Sequence, residues 1–416
     1  MEISFVTHCY PIQNAHGAAD TNYGIIKELR ENNIKIHLHV VCEHSNELEL
    51  TKKNPNKHFF ETCNGYDAFS YDLHGFRKIF RNPINFFYPK LDLVIKSYKI
   101  KNEVQKKILS QNPNIIFIYH WFAASTVFEM KYKKILLTGD LLHIPLIART
   151  KETKKLDIKN NKIRNIYNYL KMKWLSYHQK KLMIYMLKNC QAGGSFGYYD
   201  SQWLKKKGYN LSKYYKTPLV SGKNYSKSYN KEKFIILTGL GNLNATSTYS
   251  ALNFIDKKIY NYLNNKIPNK FEIRIIGRGE LSNDLTNLKN SQNVKILGFV
   301  EDLDYEISKS NIILLPTTIF IGFRSRNITI FSNSSCVVGH KNDTINMPEM
   351  VNDYNCICPE NENKIPEEII KLYKNPKKVE EIGLNARKTY EKYFEPKVAI
   401  KAILHDIERV AFDKNR

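Results

Sequence analysis

Residues Glu272–Glu280 read EIRIIGRGE, a mostly apolar run from Ile273 to Ile276 that stops at Gly277-Arg278-Gly279. A short run of this kind, rich in isoleucine and bounded by glycine, is a buried strand. The glycines allow backbone to approach a ligand closely, and an arginine held between them suits an anion such as a diphosphate. A glycine turn after a strand is common, so the surroundings of this segment decide its meaning.

Strands are expected at Phe234–Thr238, Glu272–Ile276, Val294–Leu297, Ile312–Leu315 and Cys336–Val338, with helices at Thr248–Leu263 and near Asn327–Phe331. Strand and helix alternate, which specifies a parallel sheet. The same rhythm opens the chain: a strand at Glu2–Thr7, a helix at Ala18–Glu31 and a strand at Ile34–Val41. It continues with a helix at Ile95–Ser110 and strands at Ile115–Tyr119 and Lys134–Thr138. Residues 57–90 are aromatic and irregular, and read as an insertion covering the first domain. With 416 residues, two cores of roughly 200 residues each are expected. The division is 1–224, 225–395 and a C-terminal helix at 396–416, with Tyr225–Lys233 as the linker. The fold class is α/β, two Rossmann-like domains facing across a cleft, the last helix crossing back to the first.

The formal charge is +24, which favours nucleic acid, anionic membranes or phosphate-bearing substrates as partners. Most of it is spread as single lysines, the pattern of a solvated surface. No nucleic-acid module is recognisable, so nucleic acid is not expected as a partner. Around residues 162–188 a basic segment carries Ile163, Ile166, Tyr167, Leu170, Trp174, Tyr177, Ile184 and Tyr185 near helical spacing. Such a stripe lies on an anionic bilayer or, more commonly, packs on its own domain. The seven cysteines fit neither a disulfide framework nor a zinc site, and free thiols in a reducing compartment are expected. No secretory signal is visible after Met1, and the longest apolar stretch is too short to span a bilayer. A cytoplasmic protein, with peripheral contact at the inner face of the cell membrane, is the resulting expectation.

The surroundings of EIRIIGRGE are specific. NVKILGFVED (293–302), IILLP (312–316), GFRSRNITIFSNSSCVV (322–338), MPE (347–349) and NAR (385–387) follow in order. Together they resemble the donor domain of the GT-B glycosyltransferases of the GT4-like group, glycosyl transferases group 1, in the subgroup with a Gly-x-Arg-Thr-Lys-type loop. The likeness spans about 234–396. It is weaker in the first half, at His16-Gly17 and Tyr119-His120.

The resemblance implies a nucleotide sugar as donor, a glycan or lipid-linked acceptor, and no cofactor or metal. The activity implied is sugar transfer with retention of configuration, in the synthesis of surface polysaccharide or another glycoconjugate. It assigns Arg324, Ser325 and Arg326 to the donor diphosphate, where a helix N-terminus and cations both favour phosphate oxygens. Gly322 opens that loop, and Arg278 serves the same diphosphate. Gly239 and Gly241 face it from another loop, as His16 and Gly17 do from the first domain, while Phe299 and Val300 contact the base. Two glutamates eight positions apart are usual in the family; Ile321 and Thr329 stand there, and Thr329 offers the ribose only a hydroxyl. His120 falls near the transferred sugar, able to bond a hydroxyl or relay a proton. Asp140 and His143 are candidates for acceptor activation, and Arg149 for binding an acceptor phosphate. Asp302-Leu-Asp304 imitates the metal-binding carboxylates of another glycosyltransferase fold, but reads here as a helix start. A catalytically weakened sugar-nucleotide or glycan-binding protein is the alternative, and a basic nucleic-acid-binding protein a distant one.

Overall fold

The computed structural model describes the backbone of residues 1–13, 17–42, 63–70, 89–141, 162–223, 225–230, 232–320 and 322–413. The chain divides into two compact units. One comprises Met1–Pro218 with Ala399–Arg416, the other Leu219–Val398.

In the first unit, strands β1 (Glu2–Thr7), β2 (Lys35–Cys42), β3 (Gly65–Ser70), β4 (Ile115–Tyr119), β5 (Lys134–Leu137), β6 (Ala192–Ser195) and β7 (Ser212–Tyr214) form one sheet. Its order is β3-β2-β1-β4-β5-β6-β7, parallel throughout. Helices on both faces explain why β1 and β4 are continuously buried rather than alternating. Phe5 and Phe117 stack at 5.0 Å between neighbouring strands. Chain direction across the sheet reverses between β1 and β4, the switch point beyond which ligands bind in such folds.

Part of the expected insertion is sheet. Gly65–Ser70 is the edge strand β3, paired to β2 from His37↔Gly65 to Cys42↔Ser70. The reading missed it because an edge strand with Tyr66 and Ala68 exposed lacks an apolar run. The rest of that segment, apart from Cys63, Asn64, Pro89 and Lys90, lies outside the described residues. The basic helix, Lys162–Lys188, buries Leu182, Met183, Met186 and Leu187 in the first unit's core. The C-terminal helix, Lys401–Phe412, is anchored to the same unit. Its fully buried Asp406 accepts from Lys213 Nζ and Tyr215 Oη, both at 2.7 Å.

The second unit holds β8 (Phe234–Asn242), β9 (Phe271–Arg278), β10 (Val294–Gly298), β11 (Ile312–Leu315) and β12 (Cys336–Gly339). They form a parallel sheet of order β10-β9-β8-β11-β12, with its own switch point between β8 and β11. Alternate residues serve opposite faces. Ile236, Ile273, Ile312 and Leu314 pack with Leu252 and Leu263, while Leu237, Ile313 and Leu315 pack with Ile328, Phe331 and Tyr390. The helix expected at Thr248–Leu263 is interrupted by a π turn at Ile255–Ile259, whose buried Asp256 accepts from Leu288 N at 2.9 Å. The segment expected as linker is held to this unit. Tyr225 Oη donates to Asp302 Oδ2 at 2.6 Å, and Ser228 N to Ser308 O at 3.1 Å.

Candidate active site

At the end of β8 the backbone turns left-handed at three successive residues, Gly239 (φ +92°), Leu240 (φ +56°) and Gly241 (φ +155°). Leucine in that region is strained by about 1–3 kcal/mol, a cost that collects at ligand-binding loops. The glycines are required by close approach as well. A Cβ on Gly239 would lie 2.3 Å from the Ile276 carbonyl oxygen, and one on Gly277 would lie 2.3 Å from that of Gly241. The loops after β8 and β9 therefore run together, with Gly241 opposite Gly277 and Asn242 opposite Arg278.

The arginines singled out in the sequence take three different positions. Arg278 is exposed at the end of β9, with its guanidinium 4.7 Å from the ring centroid of Phe299. Phe299, the residue assigned to the base, is 60% exposed. A solvated arginine over a solvated ring is a ready surface for a planar base and its diphosphate. Val300, by contrast, packs partly into the core.

Arg326, on the helix Ser325–Ser332, donates from Nη1 to the Gly239 carbonyl at 3.0 Å. It thereby ties the helix to the glycine loop, two segments the sequence reading gave to one ligand. Burial and the neighbouring Arg324 lower its pKa to about 10, so it stays cationic at neutral pH. Arg324, immediately before the helix, is turned inward: Nη2 donates to the Ile319 carbonyl at 2.9 Å. Its Nη1 lies 3.0 Å from Asp343 Oδ1, but neither atom has an aligned hydrogen bond, so the attraction is chiefly Coulombic. Asp343 also closes a capping box with His340, whose Nε2 is 2.7 Å from Glu362 Oε2. Asn346 Nδ2 donates to the Gly322 carbonyl at 3.0 Å and fixes the loop's first residue, at φ +53°. Asp343 and Asn346 were not singled out in the sequence. They lie 19 and 24 residues past the groups they hold, and no short spacing announces them.

Ser325 begins the helix and Thr329 sits one turn on, partly buried. Ile321 lies outside the described residues. The Asp302-Leu-Asp304 pair is structural: Asp302 caps the helix Leu303–Ser308 by accepting from Tyr305 N. Asp304 accepts from Lys223 N at 3.0 Å and Asn333 Nδ2 at 2.8 Å.

In the first unit the polar residues gather at the ends of β1, β4, β5 and β6. His120 follows β4 with φ +79° and ψ 139°, a strained conformation for a residue with a Cβ. Its ring stacks on His8, centroids 4.0 Å apart. A Cβ on Gly139 would reach 2.7 Å from its Cδ2, so that glycine leaves the ring its space. Burial lowers the His120 pKa to about 4. The ring is thus neutral at physiological pH and fits a hydrogen-bonding role better than that of a ready proton donor. Its Nδ1 is buried and has no partner among the described residues. Asp140 comes three residues after β5. Gly17 is the first residue of the helix Gly17–Glu31, whereas His16, His143 and Arg149 lie outside the described residues.

Asp140 also perturbs Asp200, which is fully buried and whose carboxylate oxygens make no well-aligned hydrogen bond among the described residues, the Leu141 backbone N–H offering only a weak one. Burial first, then the negative charge of Asp140, pushes its pKa up to about 8. The folded chain then keeps a proton that the unfolded chain releases near pH 4. Stability should fall as pH rises from about 4 to about 8. Asp200→Asn should flatten that slope and raise the melting temperature most at the alkaline end. Parallel melting curves against pH for the two proteins would rule this out.

Residues 235–375 match the family described as Glycosyl transferases group 1. No curated protein sequence matches the chain. Among solved structures, sucrose-phosphate synthase from Thermosynechococcus elongatus is 11% identical with a TM-score of 0.66, covering 99% of this chain and 98% of its own. A glycosyltransferase from Rickettsia africae ESF-5 is 12% identical with a TM-score of 0.62, covering 99% of each chain. A mutant of S. aureus TarM, solved with Fondaparinux, alpha-GlcNAc-glycerol and UDP, is 9% identical with a TM-score of 0.66, covering 99% of this chain and all of that one. The fold is GT-B, and within the second unit residues 235–375 resemble the glycosyl transferases group 1 family.

Proposed function

We propose that the protein transfers a sugar from a nucleotide-sugar donor to a glycan or lipid-linked acceptor in the assembly of surface polysaccharide or another glycoconjugate. The observation that carries this is the convergence at the ends of β8 and β9: a left-handed glycine loop, bound to Arg326, beside Arg278 stacked on Phe299. The diphosphate lies against Gly277–Gly279, Arg278 and the Gly322–Arg326 turn, and the base lies on Phe299. Cationic groups there stabilise the nucleoside diphosphate as the glycosidic bond breaks, with no metal needed for that charge. Arg324 reaches the ligand by exchanging its loosely aligned contact with Asp343 for phosphate oxygens. His120 bonds a sugar hydroxyl, and Asp140, with His143, activates the acceptor, for which Arg149 supplies a cation. Thr329 gives the ribose a hydroxyl. Retention of configuration and metal independence are part of the same reading.

TarM was solved with UDP, as was Anabaena HepE with UDP and glucose, so UDP-sugars are the first donors to try. Saturating ligand at about 100 times Kd stabilises a fold by about 2.7 kcal/mol. In a thermal-shift panel of UDP-, GDP-, CMP- and dTDP-sugars, one class, UDP first, should raise Tm by several degrees. Absence of any shift across the panel would refute the donor site. Binding without sugar release to water or acceptor would instead support a glycan- or nucleotide-sugar-binding role, the reading that Thr329 in place of a carboxylate favours.

We also infer peripheral contact with an anionic bilayer through the helix Lys162–Lys188. Ile166, Leu170 and Tyr177 are each more than half exposed, and their spacing sets them on one helix face beside exposed Lys173 and Lys181. The protein should sediment with phosphatidylglycerol vesicles and much less with phosphatidylcholine, and Leu170→Glu should reduce that binding several-fold. Equal sedimentation with both lipids would contradict it.

A further inference from the structure

At the far edge of the first unit's sheet, β2 and β3 bring together three groups that no part of the proposed transfer reaction uses. His37 and His39 alternate on β2, so both project to the same face, and Asp67 on β3 lies opposite His39 in the register. The imidazole rings stack at 4.9 Å. His37 Nε2 is 2.9 Å from Asp67 Oδ2, His39 Nδ1 is 3.7 Å from the same oxygen, and all three ligand atoms lie within 4.8 Å of one another. Among the described residues this is the one group of three or more such side chains gathered closely enough to hold an ion.

Hydrogen bonding decides what His39 offers. Its Nε2 lies 3.0 Å from Gln111 Oε1, which also accepts from Ser4 Oγ at 3.1 Å. Gln111 Oε1 only accepts, so the proton of His39 sits on Nε2 and Nδ1 carries a bare lone pair. That Nδ1 is fully buried and has no hydrogen-bond partner. With the proton on Nε2, two acceptors, Nδ1 and a carboxylate oxygen, face each other, and a cation between them would satisfy both. The N–H of a ligating histidine donating to an amide oxygen is the usual outer-shell arrangement of metal sites.

We propose that His37 Nε2, His39 Nδ1 and Asp67 Oδ2 bind a divalent ion of the zinc type, joining β2 to β3. In a tetrahedral zinc site the ligand atoms stand roughly 3.3 Å apart; the two nitrogen–oxygen separations here, 2.9 and 3.7 Å, bracket that value, and the nitrogen–nitrogen separation lies within 4.8 Å, so a small side-chain adjustment completes the site. Two nitrogens and one oxygen suit zinc or cobalt better than magnesium or calcium. His37 and Asp67 side chains are each 19% exposed, which leaves water a fourth position. Lys107 Nζ lies 3.2 Å from the other oxygen, Asp67 Oδ1, and orients the carboxylate without occupying Oδ2. On binding, the proton of His37 passes to Nδ1 through solvent, so the ring remains neutral. Gly65 is part of the design, because a Cβ there would come within 2.5 Å of His37 Cε1 and push the ring aside.

The test uses the full chain, stripped with EDTA and titrated with Co2+ and then Zn2+. One equivalent of Co2+ should bind with visible d–d bands and no thiolate charge-transfer band, and Zn2+ should displace it. His37→Gln and Asp67→Asn should each weaken binding by roughly a hundredfold, and Gln111→Leu by about ten- to a hundredfold. Full affinity in both ligand variants, or no uptake of either ion, overturns the site and leaves a plain His–Asp–Lys network. Should a variant fail to fold, Zn2+ protection of His37 from diethylpyrocarbonate in the unaltered chain is read by mass spectrometry. Undiminished labelling at saturating Zn2+ overturns the proposal equally.

Discussion

Arg278→Ala should weaken nucleotide-sugar binding by roughly ten- to a hundredfold, the value of about 1.5–3 kcal/mol for hydrogen bonds to a charged group. The fold should hardly notice. Arg278 is exposed, its side chain forms no ion pair among the described residues, and it rests on the equally exposed Phe299. Surface changes of this kind stay within about 0.5 kcal/mol of stability. Arg278→Lys keeps the charge but loses the planar fork that meets two phosphate oxygens and stacks on the ring, so it should fall between the two. Calorimetry with the donor found in the thermal-shift panel measures all three proteins. Equal affinity for the alanine variant would remove Arg278 from the donor site.

The second large effect is on stability. Asp343 and Arg324 form an ion pair with side-chain exposures of 2% and 8%. Asp343→Ala leaves a cation buried without its partner, at a cost of about 3–5 kcal/mol. It also opens the capping box of the helix Lys341–Asn346. For a unit the size of the second one about 2–4 °C accompany each kcal/mol, so its Tm should drop by roughly 10 °C. Replacing both partners, as Arg324→Met with Asp343→Leu, should recover most of the loss because no charge is then stranded. A single variant melting within about 2 °C of the parent would show that the pair is solvated and energetically minor.

These two arginines mark how far the sequence could be read. Both sit in the motif that carries the resemblance to glycosyl transferases group 1, and the strands on either side fell where the glycines and isoleucines placed them. Hydrophobic runs and glycine punctuation are local signals, and a doubly wound sheet is built from them. Which arginine is free is not local: Arg324 is turned inward by a carboxylate 19 positions later, and Arg278 is supported by a ring 21 positions later. The His120 conformation is equally silent, since φ belongs to the fold and not to the residue type. The His37–His39–Asp67 cluster escaped for the same reason. His-x-His is ordinary in a strand, and its carboxylate arrives only through the register of a weakly marked edge strand.

The path of the chain carries a consequence for biosynthesis. Leu219 and Phe394, near the two ends of the second unit, are hydrogen-bonded to each other, and Tyr390 Oη donates to the Leu219 carbonyl at 2.8 Å. That unit is therefore one uninterrupted stretch with adjoining ends, able to close as soon as it has left the ribosome. The first unit is not. Lys213 and Tyr215 are made before the second unit, and the Asp406 that joins them is made after it. At about 5–20 residues per second, the incomplete first unit waits on the order of ten to forty seconds for its last helix. A chain truncated before Lys401 should expose that seam to chaperones and proteases, while its second unit still closes.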